Sequence, residues 1–204
     1  VRGAGVLDYR FNNLDVLRAE RGCLVIANHP SLLDYVLLAS VMNETDCLVK
    51  SALLRNPFVS GVIRAADYLI NSEADTLLAA SQQRLAQGDT LLIFPEGTRT
   101  RVGEAMTLQR GAANIAVRCN SAVRVVVIHC SERMLDKQSS WYNVPPNKPV
   151  FTVDVRERIN IHDFYDASQH EPALAARQLN RHMQHQLTTG LQSLSGTKDA
   201  SALS

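Results

Sequence analysis

His29 and Asp34 are the first residues of this chain whose types and spacing could do chemistry. They lie in ANHPSLLDYV, residues 27–36, where an apolar run delivers a histidine into the start of a helix. An imidazole beside a carboxylate makes a general base, because the carboxylate fixes the tautomer and stabilises the imidazolium that forms. The plain structural alternative is a capping box: Ser31 at the helix start, Asp34 reaching back to it, and His29 merely a loop residue. For an isolated pair at this spacing the plain alternative is the better one.

A second stretch, LLIFPEGTRT at residues 91–100, overturns that preference. An apolar run again ends abruptly, here in Pro95, Glu96 and Gly97, followed by Thr98 and Arg99. In parallel α/β sheets ligands bind at the carboxyl ends of strands. Both motifs occupy such ends, so an acid-paired histidine and an arginine on a glycine-containing loop are expected to face one pocket. The plain alternative for Glu96 and Arg99 is a surface ion pair.

The elements that must position these groups can be read in order. Residues 1–20, with Val6, Tyr9, Phe11 and Leu14, read as a first strand or hairpin. Cys23, Leu24, Val25, Ile26 and Ala27 form a continuous apolar run, the pattern of a strand buried on both faces. Ser31 suits the cap of a helix running from Leu32 to about Met42. Short strands follow at residues 46–50 and 68–70, separated by a helix that begins at Asn56 and Pro57. Residues 74–86 form an amphipathic helix closed by Gly88, and 107–118 another helix. Residues 123–128 are a β-branched strand, and 151–155 alternate like an edge strand. Between them residues 131–149 form a long polar loop carrying Trp141, Tyr142, Pro145 and Pro146. Ala176, Leu179, Met183, Leu187, Leu191 and Leu194 recur at helical spacing on a last helix from about Pro172. Such a stripe packs on a core more often than it lies on a membrane. The alternation of strand and helix predicts an α/β fold with a mainly parallel sheet flanked by helices.

NHPSLLD followed some sixty residues later by FPEGTRT resembles the lysophospholipid acyltransferase family, of the 1-acylglycerol-3-phosphate acyltransferase type. The likeness runs from about Val1 to Val155 and includes Lys50, the NPFVSGVIR turn and the QRGA that follows the second motif. It implies one acyltransferase domain over residues 1–194, with 195–204 expected as a disordered tail. It further implies transfer of a fatty acyl group from acyl-CoA or acyl carrier protein to a lysolipid hydroxyl, by default that of 1-acylglycerol-3-phosphate. His29 and Asp34 are then the catalytic pair. Glu96, Gly97, Thr98 and Arg99, with Lys50, are the substrate-binding set. Arg99 would grip a phosphate, for which its planar fork is suited. Glu96 would hold Arg99 or the glycerol hydroxyls rather than act as a base, and Gly97 would let substrate approach the backbone closely. The acyl group arrives already activated, so no serine nucleophile is needed, and no G-x-S-x-G elbow occurs in the chain. No cofactor or metal is implied.

Two departures bear on the acceptor. Where the family often carries an Ile-Asp-Arg pattern, this chain has Ile70, Asn71 and Ser72, leaving Lys50, Arg64 or Arg110 to supply a second cation. Residues 123–128 also lack the family's prolines and contain Arg124. The catalytic pair is untouched, while a non-glycerophosphate acceptor stays open. So do a thioesterase or lipid hydrolase, in which His29 activates water, and a lipid-binding module on a decayed scaffold.

Composition narrows the classes. The 204 residues suffice for one domain with a full core, and 46% apolar residues exclude disordered and collagen-like chains. A net charge of +1 is too near neutral for a nucleic-acid binder. Cys23, Cys47, Cys119 and Cys130 are scattered without C-x-x-C spacing, which fits small buried hydrophobes in a reducing compartment. His182 and His185 are a weak hint of a metal pair. No apolar run reaches the length of a membrane span. Family members commonly carry a membrane anchor ahead of this point, so the expected location is the cytoplasmic face of a membrane, with the anchor preceding Val1 and the membrane surface as a partner.

Overall fold

Apolar runs without polar interruption become strands buried on both faces, and such strands form the middle of this molecule. The computed structural model describes residues 7–31, 33–42, 45–50, 69–71, 74–97, 105–132, 147–167 and 171–201. Its strands are β1 (Asp8–Asn12), β2 (Leu24–Ala27), β3 (Thr45–Lys50), β4 (Leu69–Asn71), β5 (Thr90–Ile93), β6 (Val123–Cys130) and β7 (Val150–Ile159). Its helices are α1 (Leu14–Ala19), α2 (Asp34–Ala39), α3 (Ala74–Ala86), α4 (Gly111–Arg118) and α5 (Pro172–Ser201), with a short 3-10 turn at Ile161–Asp163. Every residue of β2 and of β5 is buried.

The strands form one sheet in the order β1-β7-β6-β2-β5-β3-β4. All neighbours pair in parallel except β6 and β7, which are antiparallel. The expected mainly parallel α/β architecture is therefore the one adopted. The register places Leu24 and Val25 of β2 opposite Leu91 and Leu92 of β5 on one side. On the other side the same two residues face Val123 and Arg124 of β6.

Helices cover both faces. On one, α3, α4 and α5 bury Leu77, Leu85, Ile115, Ala176, Leu179, Met183 and Leu187 against Leu24, Ile26, Leu91 and Val125. On the other, α1, α2 and the turn after α2 bring Leu17, Leu38 and Met42 onto Val25, Ala27, Leu92, Val126 and Phe151. From β2 the chain passes over the second face to β3. From β5 it passes over the first face, through α4, to β6 on the far side of β2. The connections thus leave the adjacent strands β2 and β5 in opposite directions, which opens a crevice at their carboxyl ends.

Several boundaries differ from expectation. α2 begins at Asp34 and ends at Ala39, because residues 28–31 are taken up by a corner. α4 begins at Gly111 rather than Thr107, since the Gln109 amide is committed to the Pro95 carbonyl at 2.8 Å, which keeps that stretch extended. β7 is not an edge strand. Its alternation reflects unequal burial of its two faces, while β1 pairs with it and forms the edge instead. The stripe on α5 packs on the core. That helix was expected to end by Leu194 and continues to Ser201, as no proline interrupts it; residues 202–204 lie outside the described residues. So do the helix expected after Asn56 and the greater part of the 131–149 loop, including Trp141 and Tyr142.

α3 closes at Gly88 as expected, and α4 closes in the same way. After α3, Gly88 (φ 93°) lets its own amide reach Leu85 O and the Asp89 amide reach Arg84 O, both at 3.1 Å. Asn120 (φ 48°) does the same for α4.

At the amino end of the sheet Glu20, 7% exposed, accepts from Arg124 Nε at 2.6 Å and from its terminal nitrogen. Arg158 Nε lies 3.6 Å from the other carboxylate oxygen, to which the Cys23 thiol donates at 3.3 Å. Arg124 therefore does not break β6; it sits at a ladder irregularity and pairs with a carboxylate.

Burial, and then the charge and hydrogen bond of Glu20, push the Cys23 thiol up to about 12, against a partial pull downward from Arg158 and Arg124. A raised thiol favours the fold below its ordinary value of 9.0, and that contribution is lost as pH rises toward about 12, where the unfolded thiol is already ionised. The unfolding constant is expected to rise by up to about tenfold per pH unit from this group. Urea midpoints at about pH 8 and about pH 10 should diverge more for the parent chain than for Cys23→Ala. Equal divergence would show that Cys23 does not govern alkaline stability.

Candidate active site

The crevice between β2 and β5 receives both motifs. β2 ends at Ala27, and residues 28–31 form the corner that leads toward α2. Asp34, the first residue of that helix, has no exposed surface. Its Oδ2 lies 3.0 Å from His29 Nδ1 and accepts from the Ser31 amide at 2.7 Å. Its Oδ1 accepts from the Ser31 hydroxyl at 3.1 Å, and that hydroxyl accepts from the Leu33 amide at 3.0 Å. The capping arrangement and the histidine–carboxylate pair are thus the same carboxylate, and each makes the other more rigid. Burial raises the Asp34 carboxyl above its ordinary value, while hydrogen bonds from His29 and Ser31 pull it back.

With Nδ1–H directed to Asp34, the lone pair of the ring falls on Nε2. The His29 ring lies against Phe94 at the end of β5, with centroids 4.5 Å apart and planes at 31°. Its side chain keeps 20% of its surface exposed, so an edge of the ring remains accessible.

The second motif grips the first from across the crevice. Phe94, Pro95, Glu96 and Gly97 form a turn in which the Gly97 amide donates to Phe94 O at 3.0 Å. Gly97 sits at φ 68°, where a side chain would be strained. Glu96 is 7% exposed, and its Oε1 accepts from the His29 amide at 2.8 Å. Glu96 thus engages the backbone of His29, a contact its sequence did not indicate; its expected hold on Arg99 falls on a residue outside the described ones. Thr98 and Arg99 lie outside the described residues. Lys50 ends β3 at the same edge of the sheet, paired with Asn71 of β4.

The stretch after the second motif is fastened from the far end of the chain. Gln184 Nε2 of α5 donates to Met106 O at 2.8 Å, and Asn180 Nδ2 approaches Leu108 O at 3.4 Å.

Two contributors were not anticipated from the sequence. Phe94 had been read only as strand filling. Asn28 is 3% exposed and bonded to β6; its signals were a polar residue directly after a fully apolar run and its place at the head of NHPSLLD. Away from the crevice, His182 faces Glu157 at 3.0 Å and packs near Phe164. Among the described residues no three His, Cys, Asp or Glu side chains are grouped so as to hold a metal ion.

The profile of the family described as Acyltransferase matches residues 8–131. The chain is 30% identical over 112 residues to a 1-acyl-sn-glycerol-3-phosphate acyltransferase of Helicobacter pylori, covering 52% of this chain and 47% of that protein. It is 26% identical over 132 residues to the Pseudomonas aeruginosa protein of the same description, covering 62% and 51%. To the human 1-acyl-sn-glycerol-3-phosphate acyltransferase beta it is 29% identical over 143 residues, covering 67% and 48%. The chain spans about half the length of these curated relatives. In fold it is similar to the 1-acyl-sn-glycerophosphate (LPA) acyltransferase of Thermotoga maritima, with a TM-score of 0.65 over 93% of this chain and 73% of that one, at 20% identity.

Proposed function

This chain belongs to the Acyltransferase family, and we propose that it moves a fatty acyl group from an acyl thioester to the free hydroxyl of a 1-acylglycerol-3-phosphate. The observation that carries the reading is the His29 Nδ1 to Asp34 Oδ2 contact of 3.0 Å at the crevice between β2 and β5. It leaves Nε2 free of that contact and able to take a proton from the acceptor hydroxyl. The acceptor oxygen then attacks the thioester carbonyl, the carbon–sulfur bond breaks, and the departing thiolate takes the proton back from the His29 imidazolium. Asp34, buried beneath the ring, stabilises that imidazolium while it exists. The donor is acyl-CoA or acyl-loaded carrier protein, either of which presents the same thioester.

The names of the relatives favour a lysophosphatidate acceptor. On this reading Arg99 holds the acceptor phosphate, and the acceptor is met at a lipid surface.

The test incubates the chain with acyl-CoA or acyl carrier protein, with and without lysophosphatidate, and follows products by mass spectrometry. Phosphatidate and free thiol should appear in equal amounts and only with acceptor present. Thioester hydrolysis at the same rate without acceptor would replace this reading by a hydrolase. Arg99→Ala should raise the KM for the phosphorylated acceptor more than that for the donor. Equal KM changes for the two substrates would remove Arg99 from the acceptor site.

A further inference from the structure

β2 and β6 keep their parallel register as far as Ala27 opposite Val126. There the backbone of β2 turns away toward His29. Two residues further along β6, the next rung is made by a side chain. The Ile128 amide donates to Asn28 Oδ1 at 2.7 Å, and Asn28 Nδ2 donates to the Ile128 carbonyl at 2.7 Å. The orientation of the Asn28 amide is forced, since a backbone N–H can only donate and a carbonyl can only accept. Among short side chains asparagine carries both an acceptor and a donor on one planar group, so it can replace a stretch of backbone. Aspartate lacks the donor when ionised, and serine offers one oxygen where two atoms are needed.

The next residue is His29. Its amide is held by Glu96 at 2.8 Å and its ring by Asp34 at 3.0 Å. Glu96 belongs to the motif after β5 and Asp34 to α2, so these two contacts tie the histidine to one neighbouring strand and to one helix. The contact to the strand on the opposite side comes from Asn28 alone among the described hydrogen bonds of the corner. We propose that Asn28 is a positioning residue: its side chain replaces the last rung between β2 and β6, and so fixes where the His29 backbone departs and whether Nδ1 meets Asp34. This rests on the reading of His29 as the general base. Misplacement of a reacting group by about 1 Å can cost about a hundredfold in rate.

Asn28→Ala is tested by steady-state kinetics and by ¹⁵N NMR of histidine-labelled protein, which reports the His29 tautomer without any substrate. We expect kcat to fall between about tenfold and about a hundredfold with the donor KM changed far less, and the Nδ1–H tautomer to lose population. Asn28→Gln keeps the amide but moves it by one carbon; it should change both readouts in the same direction, and it is the variant to use should Asn28→Ala not fold. A folded variant of either kind with parental kcat and parental tautomer overturns the proposal, even when its melting temperature has dropped. Lost activity with an unchanged tautomer also overturns it, because Asn28 would then act other than through the ring. If the parent chain shows no acyl transfer at all, the proposed function fails, while the tautomer measurement still decides the role of Asn28.

Discussion

Replacing His29 by alanine is expected to lower turnover between about a hundredfold and about ten-thousandfold, the range for removal of a general base. The fold should survive. His29 keeps part of its ring exposed, and the Glu96 contact uses its backbone amide, which alanine retains. Asp34→Asn should approach the same loss by another route. An asparagine amide that turns its NH₂ toward His29 would make Nδ1 the acceptor and place the proton on Nε2, the wrong tautomer for a base. It also weakens the corner, because Asp34 accepts from both the amide and the hydroxyl of Ser31. The two variants should therefore separate in stability, with Asp34→Asn melting lower than His29→Ala. Circular dichroism with temperature, beside initial rates on the best substrate pair, measures both quantities. Near-parental turnover by folded His29→Ala would remove the general base from the mechanism.

The largest effect on stability is expected far from that chemistry, at Glu20. Its carboxylate is buried with Arg124 and approached by Arg158 at the amino end of the sheet. Removing one partner of a buried pair leaves the other charge desolvated without compensation, which costs about 3–5 kcal/mol. In a chain of this size each kcal/mol shifts the melting temperature by roughly 2–4 °C, so Glu20→Ala should melt lower by at least about 6 °C. Cys23 adds to the loss, since its thiol gives up the Glu20 acceptor. The proposed active site lies at the carboxyl ends of the same strands, so kcat of the folded variant should stay near parental. A shift of less than about 2 °C would mean that water relieves Arg124, and that the pair is worth no more than a surface contact.

What could be read from residues alone follows from how far apart the interacting groups lie in sequence. The strands, the helix covering residues 74–86 and the His29–Asp34 contact are local consequences of apolar runs, periodicity and a spacing of five. The crevice was legible too, because both motifs follow buried strands in a chain that alternates strand and helix. Partnerships across the sheet were not. Glu20 with Arg124, Asn28 with Ile128 and Glu96 with His29 join residues 104, 100 and 67 positions apart, and nothing in either local sequence names the other partner. The position of β7 failed for a related reason. Alternation tells which face of a strand is buried, while its place in the sheet depends on whether β1 comes to lie beside it.

The helix α5 lies wholly beyond residue 131, where the family match ends. Yet Ala175, Ala176, Leu179, Met183 and Leu187 are part of the same buried cluster as β2, β5 and β6. Gly190 comes so close to the sheet that a methyl group there would lie 2.6 Å from a Val127 methyl. A protein engineer trimming this chain to its recognisable portion would therefore strip one side of the sheet and leave a broad greasy surface in water, prone to clumping. The same helix also carries Gln184, whose grip on Met106 secures the stretch leading out of the second motif. A shortened chain rescued by detergent would still have lost a brace beside the crevice between β2 and β5. For grafting, swapping or shortening this chain, the smallest transferable unit reaches at least to Gly190.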